Sequence, residues 1–155
     1  MDHSAIELVL ESCEFFNGLT KDNLKEVSLL CREESYQPGD AVFRQGDFTE
    51  KFYIIAEGCV FLERSMDLGS RKGNVVIMRL GKGKVFGCWS SLLGSSHDLM
   101  SSAVCQKSTK VVVIKGAALR EIMLNNRELG FCILERLCLL LRERIQAVIG
   151  AMETI

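Results

Sequence analysis

The segment Lys84-Val85-Phe86-Gly87-Cys88-Trp89-Ser90-Ser91 has the order of a strand that turns at a glycine into a short helix. Chemistry at such a turn comes from the main chain, because glycine permits close approach and the N–H groups that open a helix attract anions. A counter-charge is missing from the segment, since no Arg or Lys falls between Lys84 and Lys107. Ser90, Ser91, Ser95, Ser96, Ser101, Ser102 and His97 instead make a neutral, hydroxyl-rich neighbourhood. Such a neighbourhood suits an uncharged or weakly anionic ligand, or none.

Three side chains there admit a sharper role beside a plain one. Cys88 is a candidate redox switch, because a helix N-terminus lowers a thiol pKa, or a thiol that fills a small apolar space. His97 is an anion contact or an exposed loop residue. Trp89 stacks on a ligand base or packs at the rim of the core. Lys82 and Lys84 alternate along an extended segment and are expected to face solvent.

Nucleophilic catalysis finds no support, since His3 and His97 sit far apart in the chain among scattered cysteines. The chain is read as no enzyme. Its seven cysteines contain no C-x-x-C pair, which argues against zinc or iron–sulfur centres and leaves no cofactor expected, with haem disfavoured. An odd cysteine count after the polar start Met1-Asp2-His3-Ser4 points to a reducing cytoplasm, with most thiols buried. No stretch approaches the ~20 apolar residues of a membrane span. A net charge of -1 offers no field for nucleic acid or an anionic membrane.

The 155 residues fit one domain without linker or repeat. Ile6, Leu8, Val9, Leu10, Leu19, Leu24, Val27 and Leu30 recur at helical spacing, and Thr20 is placed to cap a second helix. Tyr36-Gln37-Pro38-Gly39-Asp40 then breaks the period with a turn. Short β-prone runs follow: Ala41–Arg44, Lys51–Ile55, Cys59–Arg64, Val75–Leu80, Ser101–Cys105 and Lys110–Ile114. Glu57-Gly58 is expected to make a tight hairpin and Met66–Gly73 a longer exposed loop. Helical spacing returns after Gly116, and a long final segment carries Leu134, Leu137, Leu141, Ile145, Val148 and Met152 at alternating steps of three and four. That seam is either a dimer interface or the face packed on the strands, with Arg136, Arg142, Glu143 and Arg144 as solvated flanks. The boundaries fall at about 1–33 for the first helices, about 34–115 for the strands and about 116–155 for the last helices.

Four pieces in this order resemble the cyclic nucleotide-binding domain family: Tyr36-Gln37-Pro38-Gly39-Asp40, Phe43-x-Gln45-Gly46-Asp47, Phe52-Tyr53-Ile54-Ile55-x-x-Gly58-x-Val60 and Leu80-Gly81-x-Gly83-x-x-Phe86-Gly87. The resemblance covers nearly the whole chain. It implies a mainly β fold, an eight-stranded β-roll (jelly roll) with N-terminal helices and a long C-terminal helix. It places a ligand pocket at Phe86, Gly87, Cys88, Trp89, Ser90, Ser91, Leu99, Met100, Ser101 and Ser102. In the family a glutamate accepts the ribose hydroxyl and an arginine pairs with the cyclic phosphate. Cys88 stands at the glutamate position, and the arginine position falls near Leu99 or Met100, so neither group is present.

Loss of one charged partner from a desolvated anion site costs about 2–5 kcal/mol. The expectation is therefore a regulatory or sensor module in which cyclic AMP and cyclic GMP binding is weakened or lost. A different small ligand is one alternative, and an empty-pocket interaction or dimerisation domain is another. A haem or redox sensor using His97 or Cys88 is the least favoured. The resemblance also implies a homodimer through the C-terminal helix. No helix-turn-helix follows that helix within these residues, so no nucleic-acid partner is expected for this chain, and no membrane.

Overall fold

The computed structural model describes residues 1–95 and 97–154. Helix α1 (His3–Ser12) begins where the Asp2 carboxylate accepts from the Ala5 N–H at 2.8 Å. Helix α2 (Lys21–Ser28) begins as expected at Thr20, whose hydroxyl accepts from the Asn23 N–H at 3.2 Å. Each side-chain cap satisfies one otherwise unpaired helical donor. Ile6, Leu10, Leu24 and Val27 form the buried faces, while Leu8 points outward.

Eight strands follow: β1 (Arg32–Tyr36), β2 (Ala41–Phe43), β3 (Lys51–Glu57), β4 (Val60–Asp67), β5 (Lys72–Leu80), β6 (Val85–Gly87), β7 (Ser102–Cys105) and β8 (Thr109–Lys115). They pair antiparallel in two four-stranded sheets, ordered β1-β8-β3-β6 and β2-β7-β4-β5. The mainly β roll with helices at both ends is thus the architecture.

The first sheet is covered on both faces, which explains why β3 and β8 read as unbroken apolar runs. Phe52, Ile54, Val112 and Ile114 face the helices, packing with Ile6, Leu10, Phe15 and Phe16. Their neighbours Tyr53, Ile55, Val111 and Val113 face the roll interior with Phe43, Leu62, Leu80 and Phe86. Strand periodicity divides each run between two cores.

Two strands carry no β-prone signature. Strand β1 is polar because it is an edge, paired only with β8 from Arg32↔Val113 to Tyr36↔Thr109. It also begins before the expected end of the helical region. Strand β6 is three residues long, too short for a period to show.

Two expected connections are corrected. Glu57-Gly58 is no hairpin, because β3 and β4 lie in different sheets and the chain crosses between them. Gly58 has φ +109°, and a Cβ there would lie 2.7 Å from the Thr109 Cα. The Met66–Gly73 loop shrinks to Leu68–Arg71, since the β4–β5 ladder runs out to Asp67↔Lys72. Side chains too polar for a core still form this ladder because it projects as a solvated ribbon.

Helix α3 (Gly116–Asn125) leads through Asn126 into α4 (Arg127–Met152), and the Asn126 side chain accepts from the Leu129 N–H at 3.1 Å. The buried face of α4 carries Leu129, Gly130, Ile133, Leu137, Leu140 and Arg144. Of the expected seam only Leu137 is buried; Leu134, Ile145, Val148 and Met152 are exposed and Leu141 is half-buried. The run Leu137-Cys138-Leu139-Leu140-Leu141 supports two registers of a three–four repeat, and contact with the Phe15, Phe16 and Phe52 core selects the inner one.

Candidate functional site

Strand β6 delivers the chain to the turn first noticed in the sequence. Gly87 has φ +132°, and a Cβ there would sit 2.4 Å from the Lys51 carbonyl oxygen, so only glycine lets β6 lie this close to β3. The Cys88 N–H donates to that same oxygen at 3.0 Å. One of the donors expected to face a ligand is therefore occupied within the sheet. A short 3₁₀ helix, Trp89–Leu93, follows and ends at Gly94.

Between the sheets and under α4 lies a cavity of about 370 Å³. Phe43 and Phe86 come from the roll interior, Leu62 and Ile77 from the second sheet, and Leu141 and Val148 from α4. Of the residues expected at a pocket, Phe86, Gly87, Trp89, Leu99, Met100 and Ser101 line it together. Four do not. The Cys88 thiol is fully buried among the roll core. Ser90 Oγ lies 2.5 Å from His97 Nδ1, and only His97 reaches the cavity wall. Ser91 is buried with its hydroxyl donating to the Cys88 carbonyl at 2.7 Å. The Ser102 hydroxyl accepts from the Gln45 N–H at 2.9 Å. Ser91 and Ser102 thus hold the frame of the site. Ser96 lies outside the described residues.

Trp89 packs as a rim residue, its ring centroid 5.3 Å from Phe52 and 6.3 Å from Phe15. His97 is exposed on its loop. Burial pushes the Cys13 thiol up to about 11 and the Cys31 thiol up to about 12, away from thiolate chemistry. Cys13, Cys59, Cys88 and Cys105 are buried, Cys31 is half-buried, and Cys132 and Cys138 are exposed on α4. Among the described residues no three His, Cys, Asp or Glu side chains cluster as metal ligands.

Two arginines that sequence reasoning left out reach the cavity. Arg64 on β4 extends to the loop at its rim, where Nη1 donates to the Met100 carbonyl. Arg144 is not a solvated flank of a helical seam but a buried group of α4. Its Nη2 donates to the Val85 carbonyl at 2.6 Å and to Glu14 Oε1 at 3.2 Å. Glu14 also accepts from the Val85 N–H at 2.9 Å and pairs with Lys84 Nζ at 3.2 Å. Lys84 is therefore half-buried in an ion cluster, contrary to the expected solvent position, and Arg136 is likewise half-buried near the Glu14 carbonyl. The cluster fastens α4 to β6 beside the Gly87 turn. Its signal was the inner repeat Ile133, Leu137, Leu140, Arg144, visible only once that register is selected.

Two antiparallel sheets enclosing an apolar cavity, roofed by a C-terminal helix and with a glycine turn in its wall, define a β-roll. The cyclic nucleotide-binding domain family matches residues 33–126, and the chain belongs to that family. The cyclic nucleotide-gated channel beta-3 of Canis lupus familiaris is 24% identical over 140 residues, covering 90% of this chain and 17% of the channel. The chain spans 6% of the length of the Oryctolagus cuniculus voltage-gated inwardly rectifying potassium channel, with which it is 32% identical over 79 residues. Among solved structures, the Thermus thermophilus catabolite activator protein superposes with TM-score 0.69 at 25% identity, covering 91% of this chain and 62% of that one. A cyclic nucleotide-binding domain from Methylobacillus flagellatus superposes with TM-score 0.77 at 20% identity, over 99% of this chain and 82% of that one, a likeness of fold. Among the described residues no helix is long and apolar enough to cross a membrane.

Proposed function

We propose that this chain is a regulatory domain that senses a small molecule in the cavity under α4, with cyclic AMP and cyclic GMP binding strongly weakened. The observation that carries this reading is the cavity wall. Leu141, Arg144 and Val148 of α4 line the cavity with the Gly87 turn and no carboxylate among the described residues does, so a ligand would touch the helix directly but find no acid among them to accept a ribose hydroxyl. Occupancy is then coupled to the position of α4, because a ligand shifts a conformational equilibrium by its differential contacts. Family membership and the regulatory names of its relatives support the role.

Isothermal titration calorimetry with cyclic AMP and cyclic GMP tests it. We expect affinities roughly 30-fold to several thousand-fold below those of a domain that retains both charged partners. Saturation by either nucleotide at low micromolar concentration overturns the reading.

The proposal includes a homodimer through α4. What supports it is the outer face of the helix, where Phe131, Leu134, Ile145, Ile149 and Met152 remain exposed after the inner seam has packed. Sedimentation equilibrium is expected to return a dimer mass for the native chain and a monomer for Ile145→Glu with its thermal stability unchanged. A monomer for the native chain removes this part of the proposal.

A further inference from the structure

Resting on the pocket reading above, we infer that the cavity takes an amphipathic monoanion, an apolar body bearing one carboxylate or phosphate group, and that Arg64 binds the anionic end. The cavity is lined mainly by apolar side chains, and among the described residues its ionisable lining groups are Arg64, Arg144 and His97, with no Asp or Glu. An apolar body gains from leaving water there, while a neutral polyol would bring hydroxyls that find few acceptors. At about 370 Å³ the space lies at the small end of small-molecule sites.

The two arginines differ in what they have left to offer. Arg144 is already paired with Glu14 and Glu143, at 3.2 and 3.5 Å. Its Nε is buried as well, with no acceptor among the described residues, and is closed off from the cavity. Arg64 has no carboxylate partner among the described residues and spends only one of its donors, on the Met100 carbonyl. A guanidinium presents five N–H donors in a fork that matches a carboxylate or phosphate. Its backbone is held firmly, since the Ser65 N–H donates to Gln45 Oε1 at 2.8 Å and the Gln45 N–H to Ser102 Oγ at 2.9 Å. These bonds tie β4 to the rim loops. An exposed, unneutralised cation at the mouth of an apolar cavity selects the charge of whatever fills it.

Trp89 is the only tryptophan and lines the cavity, so its emission reports occupancy in the unmodified protein. Octanoate, octyl phosphate and the uncharged octanamide share one apolar body and differ in the head group. We expect the two anions to change Trp89 emission saturably and octanamide to bind roughly 10- to 100-fold more weakly, as loss of a charged hydrogen bond predicts. The stronger of the two anions identifies carboxylate or phosphate as the preferred head. Added salt should weaken the anions and leave octanamide unchanged. Arg64→Gln should abolish the gap between octanoate and octanamide, and Arg64→Lys should retain part of it. Equal binding of octanoate and octanamide by the native protein, or an undiminished gap in Arg64→Gln, overturns the inference while the pocket reading stands. No change in Trp89 emission with any of the three overturns both. The salt comparison needs no variant, so the inference stays exposed to refutation if a substitution impairs folding.

Discussion

Arg144→Met is expected to lower the unfolding free energy by about 3 kcal/mol, the lower end of the range for breaking a buried ion pair by removing one member. The substitution keeps the apolar stem but deletes the donors to the Val85 carbonyl at 2.6 Å and to Glu14 at 3.2 Å. Lys84 still pairs with Glu14 and the Val85 N–H still donates to it, which keeps the cost from the upper end of that range. For a domain of this size the melting temperature should fall by about 6–12 °C. Thermal unfolding followed by circular dichroism checks the magnitude. Adding Glu14→Gln should cost less than the sum of the two single changes, because both act on one network. Additive costs would mean that the cluster does not act as a unit. Hydrogen exchange supplies a local readout, since freeing Arg144 releases the end of α4 from β6 and should speed exchange there before the inner turns around Ile133 and Leu137.

The same arginine shows where sequence reasoning stopped. Core patterning in β3 and β8 was legible because alternate residues face two separate cores and all are apolar. The Thr20 cap was legible because an N-cap bond is local. Strand β1 was not, since Arg32-Glu33-Glu34-Ser35-Tyr36 becomes a strand only through its pairing with β8. The register of α4 was not either, because its leucine-rich centre fits two seams and the choice lies with Phe15 and Phe16 across the core. The turn at Gly87 could be found from its residue order, whereas the rim at Leu99 to Ser101 came only from the family resemblance. The absence of a cation in that stretch was correctly read along the chain, yet cations reach the cavity from β4 and α4. Linear spacing cannot register Arg64 lying against Met100, which are brought together by the β4–β7 ladder. Similarly, hydroxyls counted as ligand contacts, at Ser91 and Ser102, are consumed by main-chain partners that only the fold supplies.

Gly87→Ala is expected to cost about 2–6 kcal/mol, combining the ~1–3 kcal/mol of a disfavoured backbone region with a similar cost for overpacking. The φ of +132° is itself unfavourable for a residue with a Cβ, and that Cβ would meet the Lys51 carbonyl oxygen at 2.4 Å and the Phe52 Cα at 3.0 Å. Both obstacles are backbone, so relief requires β6 to move away from β3 rather than a rotamer change. Gly39→Ala is the proper comparison: φ is +88°, nothing lies within 4 Å of the added Cβ, and the expected cost is only the ~1–2 kcal/mol of the left-handed conformation. Denaturant unfolding of the two variants separates strain from steric contact. Equal losses would show that the approach to Lys51 carries no cost of its own. The displacement should also reach the cavity, because β6 carries Phe86 in its wall, supplies the Val85 carbonyl that holds Arg144 and leads directly into Trp89. Trp89 emission should therefore change in Gly87→Ala under conditions where the variant is still folded, and should remain native in Gly39→Ala. A glycine that fixes the distance between two strands thereby sets the position of the reporter, the roof anchor and the floor of the site at once.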